Sequence, residues 1–411
     1  MRGILPFLVV LIVIAFFTKV DFFFYLLYAL FGFYVLGRVW ARRSLAAVTL
    51  ERHHDHRVFL GQAFTVDVRV HNRSWLPVLW LRLTDTVPAD LMPGIVFRHV
   101  ISLLPRERLN LNYTLKGRRR GYYHVGPFTA LGGDLLGTAA YESSQGGEDY
   151  VIVYPKIVAL RDLGFPSLSP FGTLPSRQRL FEDPTRIQGV RDYQPGDSLR
   201  RMDWKTSARL GTLQVRRYEP AIALETAIFL NLDGADYPGR ERYTATELGI
   251  VVAASVAVHV VGLRQALSLD TNGRDPWQGS APLPDGTAAP EQCGLPAAPA
   301  LPLRKGREHL MDVLDLLARI EVAPEDGASP FLDLLTRKSL ALPWGSTVVI
   351  VTAREVEGLL DTLLALRRRG LLVILVLTSP DRDFNLTAQR ASQIGIPALR
   401  IWSEQGLDVW R

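Results

Sequence analysis

Two apolar runs at the amino end, residues 4–17 and 22–36, are separated only by Thr18-Lys19-Val20-Asp21. No other feature limits the architecture as much. One helix through both would be about 50 Å long at 1.5 Å per residue, against a hydrocarbon core of roughly 30 Å. Two short spans joined by a tight hairpin fit, with Arg2 and Lys19 snorkelling and Tyr34 and Trp40 at the interface. A cleaved leader needs a small-residue site after the first run, and a second apolar run follows there instead. Arg38, Arg42 and Arg43 crowd the end of the second run, Arg2 marks the start, and the connecting loop is neutral. By the positive-inside rule, both ends and everything beyond residue 43 face the cytoplasm of a multi-pass inner-membrane protein. Cys293 is the single cysteine, so no intramolecular disulfide is available.

With 411 residues the chain has room for two or more domains. Residues 46–155 read as strands. Phe64-Thr65-Val66-Asp67-Val68-Arg69-Val70 alternates apolar and polar, as a half-buried antiparallel strand does. Residues 79–83, 109–113 and 150–154 continue the pattern, and Pro-Gly punctuation marks the turns. Short strands at close spacing predict a small β-sandwich. His53, His54 and His56 flank Asp55 just beyond the membrane segment. Histidine clusters bind metals, but no Cys or Glu stands nearby in sequence and a linker position favours solvent, so no metal is expected there.

From residue 221 the grammar changes. Ala227-Ile228-Phe229-Leu230-Asn231-Leu232 is a near-continuous apolar run, the form of a buried parallel strand. Helical stretches at 241–263, 307–320 and 355–369 alternate with strands at 266–269, 346–352, 371–377 and 398–401. Strands alternating with helices predict a doubly wound α/β domain over 221–411. A segment at about 272–302, rich in Pro, Ala and Gly, reads as a mobile insertion.

Between these parts, residues 156–220 hold a dense signature, Arg191-Asp192-Tyr193-Gln194-Pro195-Gly196-Asp197 followed by residues 198–219. Pro195-Gly196 is a turn signal and Asp197 a good N-cap. A helix of about three turns is expected from Ser198 to Leu210, with Gly211 closing it. Leu199, Met202, Thr206 and Leu210 would form its apolar stripe, and a strand would follow from Leu213. Arg201, Lys205 and Arg209 would share one face, with Asp197 paired to Arg201 and Asp203 to Arg200. Two readings of the segment stand side by side. One is a solvated face with Trp204 in the core; the other is an ionic network or basic docking surface.

Residue for residue, Arg191, Tyr193, Gly196, Asp197, Arg200, Asp203, Trp204, Ser207 and Arg209 resemble the signature of the domain of unknown function 58 (DUF 58) family. Arg118-Arg119-Arg120-Gly121-Tyr122-Tyr123 and Val153-Tyr154-Pro155 resemble the family's upstream segment. Where the family often carries a second acid, this chain has Ser198. The resemblance implies a membrane protein whose α/β part is similar to a von Willebrand factor A domain. It also implies partnership with a MoxR-type AAA+ ATPase acting on client proteins. A-type domains build a metal site on Asp-x-Ser-x-Ser. Here the loop reads Asp233-Gly234-Ala235-Asp236-Tyr237, and the later strand ends in Thr352-Ala353-Arg354. Asp233 and Asp236 supply too few oxygens for a hard cation, so the site is degenerate and no cofactor is expected.

No phosphate-binding Gly-x-x-x-x-Gly-Lys-Ser/Thr, His-Glu-x-x-His, Gly-x-Ser-x-Gly or Cys-x-x-Cys occurs. The first expectation is therefore a non-enzymatic, membrane-tethered cytoplasmic scaffold that binds protein partners; nucleic acid is not expected. One alternative is an enzyme using Asp197, Asp203, Asp233 or Asp236. The other is binding of an acidic polymer or lipid by Arg118, Arg119, Arg120, Arg216 and Arg217.

Overall fold

The computed structural model describes residues 5–18, 20–91, 97–134, 140–145, 147, 149–160, 182–194, 197–220, 225–237, 239, 242–276, 297–323, 331–379 and 384–401. The chain forms two compact units that divide between Lys156 and Ile157, apart from Leu314–Arg319, which groups with the first.

The first unit opens with helices α1 (Leu5–Thr18) and α2 (Asp21–Ala46). The break falls where the sequence places it, at an extended Val20. α2 does not stop at residue 43. It runs on to Ala46 as one helix of 26 residues, and its last turns bury Ala41, Ser44 and Leu45. Trp40 fixes this end by donating its indole N–H to the Pro77 carbonyl at 3.0 Å. α2 is long and apolar enough to cross a membrane, and 0 % of its apolar stretch is buried.

Ten strands follow: β1 (Val48–His53), β2 (Arg57–Phe59), β3 (Ala63–Asn72), β4 (Val78–Asp85), β5 (Arg98–Leu103), β6 (Arg108–Lys116), β7 (Gly121–Val125), β8 (Phe128–Gly133), β9 (Ala140–Gln145) and β10 (Asp149–Tyr154). They form sheets ordered β1-β3-β6, β2-β10-β7 and β5-β4-β8-β9. One apolar core joins the three. Phe64, Val66, Val68 and Val70 of β3 lie in it beside Leu81, Leu83, Leu115, Phe128 and Val153. The alternation in β3 thus buries one face of the strand, as period 2 requires. β1, β2, β5, β7, β8 and β9 are not among the strands read from the sequence. β9, Ala-Tyr-Glu-Ser-Ser-Gln, has too few apolar residues to show a period.

The second unit begins with β11 (Glu182–Asp192), a 3₁₀ turn at Leu199–Arg201, α3 (Trp204–Leu210) and β12 (Gln214–Pro220). β11 and β12 pair as an antiparallel ribbon. Next come β13 (Glu225–Leu230), α4 (Arg242–Gly262), β14 (Ala266–Thr271), β15 (Leu301–Arg304), α5 (Arg307–Arg319), α6 (Phe331–Ser339), β16 (Thr347–Thr352), α7 (Leu359–Arg368), β17 (Leu372–Leu377), α8 (Phe384–Gln393) and β18 (Ala398–Arg400). The sheet runs β15-β14-β13-β16-β17-β18, parallel except for β15. β13, β16 and β17 read as unbroken apolar runs because helices cover the sheet. α4 would pass for a membrane span by length and composition, but 72 % of its apolar stretch is buried.

The expected insertion at 272–302 is narrower than its composition implies. Asn272 and Asp275 are buried, and Leu301–Arg304 is the antiparallel edge strand β15. Pro302 marks an edge position, where a missing N–H is tolerated. Residues 277–296 lie outside the described residues.

Candidate functional site

The signature ribbon is built on two aspartates. Arg191 grips Asp197 with both guanidinium nitrogens, at 2.7 and 2.6 Å. The same carboxylate accepts the Gln194 N–H at 2.9 Å. Asp197 therefore closes the turn after β11 and does not cap the helix. Its expected partner was Arg201; Arg191 outcompetes it because a bidentate fork is the stronger geometry.

The helix starts six residues later than expected, at Trp204 rather than Ser198. Met202 leaves the helical region and bridges to Val215, and both are buried. Asp203 then becomes the N-cap, accepting the Thr206 N–H at 3.0 Å through Oδ1. Its Oδ2 accepts from Arg216 Nε at 3.2 Å. Arg200, the predicted partner, sits in the preceding 3₁₀ turn, and its side chain lies outside the described residues. Gly211 closes α3 at φ 68°, donating its N–H to the Ser207 carbonyl, as the sequence predicts. Because Arg201 is not on α3, the three-cation face does not form. Of the predicted apolar stripe only Met202 is buried; Leu199 and Leu210 are exposed.

Both carboxylates hold their protons less tightly than usual. For Asp197 the Arg191 hydrogen bonds are the main cause, and for Asp203 the Thr206 backbone N–H, followed by Arg216. Ser207 is a tie rather than a nucleophile. Its buried hydroxyl donates to the Asp203 carbonyl at 2.7 Å and accepts the Gln214 N–H at 2.8 Å. Tyr193 is half-buried and joins the ribbon through its N–H to the Leu213 carbonyl at 2.9 Å. Arg209 is exposed in the last turn of α3. Pro195 and Gly196 fall outside the described residues.

Trp204 overturns the core-packing reading. It is 65 % exposed, and Leu199, Leu210 and Leu213 are exposed as well. The caps at Asp203 and Gly211 hold the backbone of α3, and the indole at its first position is left largely uncovered.

The carboxyl ends of the central strands are closed differently. Asn231, fully buried, donates to Asp236 at 2.7 Å and to Thr352 at 3.1 Å. Its Oδ1 accepts from the Asp233 N–H and the Asn272 amide, each at 3.0 Å. Asp233 caps the next turn through the Ala235 N–H at 3.1 Å. Tyr237 donates to the Asn231 carbonyl at 2.5 Å. Each of the four aspartates weighed as catalytic is thus engaged by an N–H donor: Asp197 and Asp203 in the ribbon, Asp233 and Asp236 here. Of the basic residues, Arg216 is bound to Asp203 and Arg119 lies 3.8 Å from Asp90. The Arg217 side chain is outside the described residues.

Residues 189–274 match the family model "Protein of unknown function DUF58". The signature resembles that family for a reason. The matched span runs from the ribbon through α3, β13, α4 and β14 to the buried Asn272. A curated relative, "Uncharacterized protein YeaD" of Bacillus subtilis (strain 168), is 22 % identical over 347 residues, covering 82 % of this chain and 78 % of the relative. Among solved structures, the CARDB domain of the PF1109 protein from Pyrococcus furiosus is 19 % identical. It covers 26 % of this chain and 91 % of that one, at a TM-score of 0.21. A cohesin module from a Clostridium perfringens family 33 glycoside hydrolase is 15 % identical, with 26 % and 96 % covered at 0.20. Scores this low carry no argument about fold or function.

Two features of the first unit escape sequence reading. Arg52 and Asp85 form a buried ion pair at 2.5 Å, their side chains 3 % and 0 % exposed. Tyr113 donates to the same carboxylate, Arg52 donates to the Val125 carbonyl at 2.9 Å, and its guanidinium lies over Phe128. Burial raises the Asp85 carboxyl against the opposing pull of Tyr113 and Arg52. The second is in the histidine segment, where His53 and His56 are exposed but His54 is not left to solvent. The His54 side chain is 0 % exposed and lies 3.0 Å from Asp149. Residues 54 and 149 are too far apart in sequence for any motif to join them.

Proposed function

We propose that this protein is a non-enzymatic scaffold, tethered to the membrane by its amino-terminal helices with its folded units in the cytoplasm. It holds protein partners on the signature ribbon, working with a MoxR-type AAA+ ATPase in the assembly or activation of protein complexes. The observation that carries this reading is Trp204, uncovered on a helix whose two ends are locked. Tryptophan and arginine dominate the energetics of protein interfaces, and a rigid anchor loses little entropy on docking. Asp203, Arg216, Arg191 and Asp197 set the shape of that surface. Exposed Lys205 and Arg209 supply charge that steers association. The ATPase enters through the family resemblance.

Two further points support the reading. The six-stranded sheet with helices packed on it fits an A-like domain whose metal loop has been rewired with an amide, Asn231 facing Asp236. An uncovered α2, preceded by the shorter α1, fits a helical hairpin in the bilayer. The test is co-purification from solubilised membranes with the MoxR-type ATPase of the source organism. Recovery with wild type and loss with Trp204→Ala and Arg209→Glu is the expected result. Equal recovery from all three would remove the ribbon from the docking surface.

A further inference from the structure

Among the described residues, one group of three or more His, Cys, Asp and Glu side chains brings its ligand atoms together: His54, His56 and Asp149, with these atoms within 4.8 Å of one another. Parallel pairing of β2 with β10 assembles it. Ile152 donates its N–H to the His56 carbonyl at 2.8 Å, which sets Asp149, at the start of β10, beside the segment that precedes β2.

The protonation pattern is the informative part. His54 Nδ1 lies 3.1 Å from the Asp55 carbonyl, which can only accept, so the ring proton resides on Nδ1. Nε2 is the ring atom turned toward Asp149. That atom is buried and has no hydrogen-bond partner, and it lies 3.0 Å from Asp149 Oδ2. A close approach of this ring nitrogen to a carboxylate oxygen needs a positive charge between them, which either a second ring proton or a metal ion supplies. The spacing fits such a charge. Ligands 2.0 Å from a tetrahedral zinc ion are neighbours at about 3.3 Å. Asp149 lies 3.0 Å from His54 Nε2 and, through Oδ1, 3.5 Å from His56 Nδ1.

The outer groups are in place as well. The Asp55 carbonyl holds the His54 tautomer, and the Tyr150 N–H, donating to Asp149 Oδ1 at 2.9 Å, orients the carboxylate. Such supports are typical of metal-binding imidazoles and carboxylates. His54 packs near Phe64, and His56 stacks on Tyr150. His56 is the exposed, adjustable member. To ligate, it gives up the contact of its Nδ1 with the Tyr150 carbonyl at 3.1 Å and swings toward Nε2 of His54.

We infer that His54, His56 and Asp149 form a binding site for a zinc-class divalent cation. Two imidazoles and one carboxylate select a borderline ion such as Zn²⁺ or Co²⁺ over Mg²⁺ or Ca²⁺, which prefer all-oxygen shells. Three protein ligands leave a fourth position for water or for a group from a partner. The ion would clip the segment between β1 and β2 to β10.

The test uses the full-length protein in detergent, its purification tag removed and its metals stripped with chelator. Zn²⁺ is titrated calorimetrically, and Co²⁺ is followed by its visible absorption. The expected result is one saturable site per chain with a tetrahedral Co²⁺ spectrum. His56→Ala and Asp149→Asn should each weaken Zn²⁺ binding at least tenfold. Both substitutions lie at partly or fully exposed positions, and unchanged circular dichroism of the metal-free variants separates ligand loss from unfolding. His54→Gln, at the buried position, is the supplementary variant. Absence of saturable Zn²⁺ binding by the wild type, or equal affinity in both variants, would overturn the assignment.

Discussion

Arg52 with Asp85 and Arg216 with Asp203 are the same chemical pair in opposite surroundings. In the β-rich unit both side chains are out of water, and burial moves the Asp85 carboxyl up. In the signature ribbon the arginine is 41 % exposed and hydrogen bonds move Asp203 down. The first pair is part of a core: desolvated, held by Tyr113 and the Val125 carbonyl, and unable to lose one member without stranding a charge. The second, screened by solvent, contributes little to stability and instead fixes where α3 begins. A charge network can hold a fold or present a surface, and burial decides which. Under the proposed function the ribbon is of the second kind, and the exposed Trp204 on α3 is what it presents.

The comparison can be broken most sharply in the core. Arg52→Met should destabilise the β-rich unit by about 3–5 kcal/mol, whereas Arg52→Met with Asp85→Leu should recover most of that loss. Denaturant unfolding of the three proteins measures it. A single variant as stable as wild type would mean the pair is not desolvated. Next in size is Ser207→Ala, which strands the Gln214 N–H and should cost about 1–3 kcal/mol. It should appear as faster amide exchange through α3 and β12.

Acid gives a smaller effect with opposite signs in the two regions. Asp197 and Asp203 have folded-state values below the ordinary 3.8. Their contribution is complete above 3.8 and is lost as pH falls through those lower values. Asp85 lies above 3.8, so its contribution is present below 3.8 and is lost as pH rises through its raised value. As pH falls below 3.8, exchange protection at α3 should therefore fall while protection attributable to Asp85 at the end of β4 is retained. Parallel loss in both regions would erase the distinction. Smallest of all is the effect of Trp204→Ala on melting, within about 0.5 kcal/mol, because an exposed side chain has little packing to lose.

How legible each part was follows from the range of its interactions. The central strands β13, β16 and β17 announce themselves because burial on both faces forces continuous apolar runs. β3 does so because burial on one face forces alternation. α4 resembles a membrane span for the same physical reason that it is a core helix, so composition alone cannot separate the two. The residues of the signature are visible in sequence, but their pairing is not. Helix rules reach three or four residues, whereas Arg191 meets Asp197 across a turn and Asp203 meets Arg216 across a ribbon. Met202 shows tertiary contact overriding local preference: its bridge to Val215 moves the helix start from Ser198 to Trp204. Asp149 is out of reach of any local rule, because only strand pairing brings it to His54 and His56.

The central claim, that the signature ribbon is a docking surface built around Trp204, is tested most directly by a binding isotherm between the purified full-length protein and the MoxR-type ATPase. The wild type should bind saturably. Trp204→Ala, with unchanged melting, should bind roughly 30-fold more weakly, the effect of losing about 2 kcal/mol at an interface hot spot. Equal affinity for the two proteins, or no binding by the wild type, would contradict it.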